Sequence, residues 1–78
     1  MKNFVIKSTQ GYQQNMFFGI VQWTKDITKA RRYEKWEALE QMAYMHSFGI
    51  NAKNISVYEI KETHNVEGEI ITLSTKIA

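Results

Sequence analysis

His46 and His64 are the two histidines of this 78-residue chain, and it has no cysteine. Acid–base, nucleophilic and metal chemistry near neutral pH leans on these two residue types, so the field is narrow from the start. No His-x-x-x-His pair and no thiolate spacing exists, which leaves no predicted metal site. His46 lies among apolar residues at helical spacing and reads as a partly buried structural side chain. His64 sits in the polar run HNVEGE and reads as a solvated turn residue. Glu37 and Glu40 share a helix face, but exposed helix glutamates without a neighbouring nucleophile make no acid–base pair. The glycines are isolated at 11, 19, 49 and 68, so no glycine-rich loop can cradle a phosphate. The reading therefore assigns no catalytic, cofactor-binding or metal-binding residue and expects no enzyme activity.

What remains is a binding chemistry. Lys25, Lys29, Arg31, Arg32 and Lys35 interleave with Trp23, Tyr33 and Trp36. Arginine's planar fork suits carboxylates on a protein surface as well as phosphates. With an exposed ring nearby, the same cluster could neutralise a nucleic-acid backbone while the ring stacks on a base. Asp26 and Glu34 dilute the charge, which favours a protein partner over nucleic acid. Tyr44, lying off the apolar side of the helix, adds an apolar contact. The partner-binding set is thus Lys25, Lys29, Arg31, Arg32, Lys35 and Tyr44.

These residues must be positioned by a few elements. Trp36, Leu39, Met42, Ala43 and His46 fall on one arc at spacings of three, four and seven, which predicts a helix over 35–48 with Gly49 as its stop. Trp36 is expected to join the core. A short helical turn near 26–30, capped by Thr24 or Asp26, precedes an extended Arg31-Arg32-Tyr33. Before it, 3–8 reads as a strand, 10–15 as a polar hairpin loop, and 16–23 (MFFGIVQW) as the strongest strand, apolar on both faces. After the helix come a loop over 49–54, a strand over 55–61, a turn over 64–69 and a last strand over 70–77. The order β-β-α-β-β gives an α+β domain, an antiparallel sheet of three to four strands with one helix packed across it.

Composition bounds the rest. An apolar share of 44% with 13% aromatic residues is that of one folded domain spanning 1–78, without linker or repeat. The N-terminal segment is too weakly apolar for a signal peptide and nothing approaches a membrane span, so a cytoplasmic protein without membrane contact is expected. Charge is uneven: residues 1–36 carry seven basic and two acidic groups, and residues 37–78 three basic and six acidic ones. Tyr44, Phe48 and the two-faced strand exceed the apolar surface one helix can cover, so either self-association into a homodimer or a partner would bury it.

The run Trp23-Thr24-Lys25-Asp26-Ile27, then Ala30, Tyr33 and Ala38, resembles a pattern in small phage and prophage accessory proteins over roughly residues 2–62. There a strand ends in an aromatic-Thr step, a short turn carries an Ala, and a helix with an early Ala follows. The chain departs from the pattern just before the helix, where Glu34 and Lys35 replace the usual Ser, Thr or Asp. The resemblance implies a small protein that inhibits or regulates host machinery, as anti-CRISPR factors do, by occluding a surface of a larger, host-encoded protein. The chain is less acidic than a DNA mimic. A nucleic-acid-binding regulator using the 25–35 patch and a self-assembling structural subunit are the alternatives.

Overall fold

The computed structural model describes residues 2–50 and 52–78. Residue 51, within the predicted 49–54 loop, and residue 1, in the predicted N-terminal segment, lie outside the described residues. The elements are β1 (Phe4–Ser8), β2 (Gly11–Phe17), β3 (Ile20–Thr24), a 3-10 turn (Ile27–Lys29), α1 (Lys35–Ser47), β4 (Ser56–His64) and β5 (Ile70–Lys76). Among the described residues they build an α+β fold: a five-stranded antiparallel sheet of order β3-β2-β1-β4-β5 with one helix against it.

The first strand is the centre, because it alternates apolar side chains onto two covered faces. Ile6 faces α1 and joins Tyr33, Ala38, Met45, Ile55 and Val57. Val5 faces the other way, against Ala30 and Ile60, where the 3-10 turn crosses the sheet. That turn is built as its residues require. Asp26 caps it, its carboxylate accepting from the Thr28 N–H at 2.9 Å and the Thr28 hydroxyl at 2.6 Å. The chain then runs extended and pairs Tyr33 with Phe4 through two backbone hydrogen bonds of 2.8 and 3.0 Å.

Four expectations about the strands are corrected. The polar 10–15 stretch is a strand, not a loop. The turn is Thr9-Gln10, and Gly11 at φ +121° packs so closely on β3 that an added Cβ would lie 2.4 Å from the Thr24 carbonyl oxygen. Gln13 tolerates burial in this strand because the Tyr33 hydroxyl donates to its Oε1 at 2.6 Å. The 16–23 stretch is not one strand: Phe18 (φ +51°) and Gly19 (φ +76°) fold it into a two-residue hairpin between Phe17 and Ile20. The sheet therefore has a fifth strand beyond the three or four expected. His64 ends β4 and is not part of the following turn.

The helix occupies nearly its predicted span, Lys35–Ser47, but presents a different face. Ala38 and Met45 are fully buried, with Leu39 and Met42 packed beside them. This face is turned by about 90° from the predicted arc, at 100° per residue. Trp36 is 66% exposed rather than in the core, and His46 and Ala43 are exposed. The helix start is secured by the capping-box spacing Glu34–Glu37, the Glu37 carboxylate accepting from the Glu34 N–H at 3.1 Å.

Candidate interaction surface

The predicted contact residues separate in space. Lys25 directly follows β3, and its ammonium reaches the Thr9 carbonyl at 3.4 Å. Lys29 and Arg31 are exposed along the 3-10 turn and the strand-like segment after it. Arg31 lies over the Tyr33 ring at 5.6 Å and, with Trp36, Glu37 and Glu40, lines a recess of about 200 Å³. Arg32 is half-buried and turns to Glu62 at 3.9 Å, which neutralises it in place. Lys35 opens the helix. Tyr44 lies nine residues further along it, about 14 Å by helical rise, so it belongs to a different surface.

That surface is apolar, and two elements build it. On the helix, the spacing of four brings Tyr44 and Phe48 together in a stacked pair with ring centroids 4.3 Å apart. On the sheet, the β2–β3 hairpin projects Phe17 and Phe18, whose rings meet edge to face at 4.4 Å, with Ile20 in register with Phe17. Phe18 is 90% exposed, Ile20 75% and Phe48 64%. The two groups meet at Ile20 and Phe48. Gly19, Ile20, Val21, Trp23, Phe48 and Ile50 line one pocket of about 310 Å³ between the hairpin and the helix C-terminus. Isolated exposed apolar residues are ordinary, but five of them grouped on a small domain make a candidate binding surface.

Backbone geometry singles out the tip. A phenylalanine in the left-handed region costs on the order of 1–2 kcal/mol, and asparagine or glycine is the usual occupant of such a turn. Phe18 sits there at φ +51° while its side chain gains nothing from burial. Only Tyr44 of this group was among the predicted contacts. The available signal was Phe18-Gly19 itself, a residue-glycine step inside an apolar run.

A second, smaller arrangement lies on the sheet face opposite the helix. Lys7 is held between two tyrosines, its ammonium 5.2 Å from the Tyr12 ring and 5.5 Å from the Tyr58 ring. Tyr12 is in register with Lys7, and Tyr58 with Lys76.

Thr28 holds the exposed Asp26 carboxyl below the ordinary carboxylate range through its hydroxyl and then its backbone N–H. Burial pushes the Tyr33 hydroxyl above its ordinary value. Both groups serve structural hydrogen bonds. Among the described residues no group of three His, Cys, Asp or Glu side chains is placed to hold a metal ion, and no helix is long and apolar enough to cross a membrane. Comparison with known proteins finds no matching family model, curated protein or solved structure.

Proposed function

We propose that this chain is a small non-enzymatic binding protein that occludes a surface of a larger protein, seating the aromatic end formed by Phe17, Phe18, Ile20, Tyr44 and Phe48 in an apolar groove of its partner. The observation that carries this is Phe18: an aromatic ring held at 90% exposure on a left-handed backbone. Large rings with few rotatable bonds are the residues that dominate binding energy at interfaces. The charged segment Lys29–Arg31 lies outside the apolar end and contributes steering more than affinity. A phage-derived inhibitor of host machinery is the class of role this fits, through the resemblance around Trp23–Ala38.

The test is capture from a nuclease-treated lysate of the native host, run in parallel with three baits. The unaltered chain and a Lys29→Ala/Arg31→Ala/Arg32→Ala variant are expected to retain the same partner. A Phe18→Ser/Phe48→Ser variant is expected to lose it by at least about tenfold, about 1.4 kcal/mol. Equal capture by the Phe variant removes the aromatic end from the proposal.

A second reading rests on Lys7. Two tyrosines flanking a lysine, with Lys76 in register beside one of them, are the components of a single-strand binding face, rings for bases and ammonium groups for phosphates. It predicts oligonucleotide binding that weakens steeply with salt and is lost in Tyr12→Ala/Tyr58→Ala. No anisotropy change with a labelled single strand at low salt ends it.

A further inference from the structure

β3 is an edge of the sheet, and the aromatic end begins on it at Ile20. Native edges are ordinarily blunted by charge, proline or a covering loop. The β3 sequence, IVQWT, carries neither a charge nor a proline.

The hairpin fixes which backbone groups of this edge are open. Its two-residue turn sets Phe17 opposite Ile20 as a hydrogen-bonded pair. Alternation then points the N–H and C=O of Ile20, Gln22 and Thr24 at β2, and those of Val21 and Trp23 outward. Gln13 provides an independent check. It lies opposite Trp23, so its carbonyl must face away from β3, and there it accepts from the Arg31 N–H at 2.9 Å. Among the described residues the outward groups of Val21 and Trp23 have no hydrogen-bond partner.

Two recesses flank this open ladder, one on each face of the sheet. Val21 and Trp23 turn their side chains to the helix-side core, and with Phe48 and Ile50 they line the pocket of about 310 Å³. Ile20 and Gln22 point to the other face. With their register partners Phe17 and Asn15 they line a second recess, of about 430 Å³. None of the residues lining either recess is charged.

That arrangement selects the occupant. A compact ligand fills one recess but not both, because the strand lies between them. An extended chain paired with β3 reaches both, since its successive side chains alternate between the faces. Residues opposite Val21 and Trp23 enter the helix-side pocket, and the one opposite Gln22 enters the other recess. A second copy of β3 would bring its own Gln22 and Thr24 to that outer face, polar side chains where Phe17 and Ile20 favour apolar ones.

We propose that the partner contributes an extended, uncharged apolar segment of about four residues, which pairs antiparallel with Val21 and Trp23 as a sixth strand. Antiparallel pairing matches every other neighbour in the sheet and is the more stable ladder. The pairing rests on the reading that a partner covers the aromatic end, and it names what lies against Ile20 and Phe48.

The probe is a fluorescein-labelled peptide carrying Val-Ile-Val-Ile between pairs of lysines, titrated against the full chain by anisotropy. Amide hydrogen exchange is followed by NMR in parallel. In the free chain the Val21 and Trp23 amides are expected to exchange faster than those of Gln22 and Thr24. Saturating peptide is expected to slow Val21 and Trp23 by at least about tenfold, and the same peptide N-methylated at its central amides is expected not to bind. Phe18→Ser is expected to keep the peptide, so its loss of partner capture reports on the aromatic end alone. The pairing is overturned by no binding up to about 1 mM peptide, by binding that leaves the two amides unprotected, or by equal binding of the N-methylated peptide. Protection that grows with protein concentration before peptide is added would seat a second copy on β3 and overturn it too. The aromatic end survives each of these results if Phe18→Ser/Phe48→Ser still loses the partner.

Discussion

Phe18 and Gln13 illustrate how single residues here accept a local cost. At Phe18 the cost is conformational and lies on an exposed turn. Asparagine tolerates the left-handed region better, so Phe18→Asn is expected to stabilise the fold by roughly 0.5–1 kcal/mol while removing the proposed anchor. At Gln13 the cost is polar burial. Its Oε1 is satisfied by Tyr33, whereas its Nε2 has no hydrogen-bond partner. Tyr33→Phe strips away the one partner and is expected to destabilise the domain by roughly 1–2 kcal/mol, whereas pairing it with Gln13→Leu should recover most of that loss; urea denaturation of both variants measures it. Tyr33 also sets an alkaline limit. Burial raises its folded value above the ordinary 10.0, so its contribution is whole below that pH. It is lost as pH rises through the folded value, because the unfolded chain ionises first. The stability of the unaltered chain is therefore expected to fall more steeply above pH 10 than that of Tyr33→Phe.

At the scale of elements, what was legible in the sequence followed from local chemistry, and what was missed depended on tertiary contact. The 3-10 turn was readable because Asp26 caps it from within three residues. The extended segment after it was readable because Ile27, Ala30, Tyr33 and Trp36 could not stay on one helix face. The helix span was readable from Gly49, but its buried face was not. Trp36 drew the apolar arc toward itself, while Ala38 and Met45 fit closer to β1 and β4. β2 was hidden for a related reason. Gln13, Gln14 and Asn15 read as a loop, yet Gln13 becomes a core residue once Tyr33 supplies its hydrogen bond. Half of the candidate surface was hidden with it, since Phe17 and Phe18 looked like strand interior until Phe18-Gly19 proved to be a turn. Gly11 is the joint on which this hairpin depends. Gly11→Ala would drive its Cβ against the Thr24 carbonyl and is expected to cost more than about 2 kcal/mol, a fall of more than about 8 °C in melting temperature.

At the scale of the molecule, a small core supports surfaces with separate roles. The extents of 45 × 22 × 19 Å reflect a β4–β5 hairpin that outruns the helix, its residues from Lys61 to His64 being exposed. Acidic groups gather at its turn, while Lys7, Lys25 and Lys76 sit at the other end of the sheet. The uneven charge of the two halves of the chain thus becomes a dipole along the sheet, suited to orienting an approaching partner. The apolar end and the open β5 edge both expose more hydrophobic surface than a solitary domain of this size needs. Association with other protein is the common explanation, and the proposed account assigns the end to a partner.

The central claim is that the aromatic end is kept for binding at the expense of stability, and Phe18→Asn tests it in one comparison. Thermal denaturation and quantitative capture of the host partner are measured side by side for the variant and the unaltered chain. The account predicts a melting temperature higher by about 4 °C together with at least tenfold weaker capture, about 1.4 kcal/mol. A variant that binds as well as the unaltered chain would contradict it, whatever its stability.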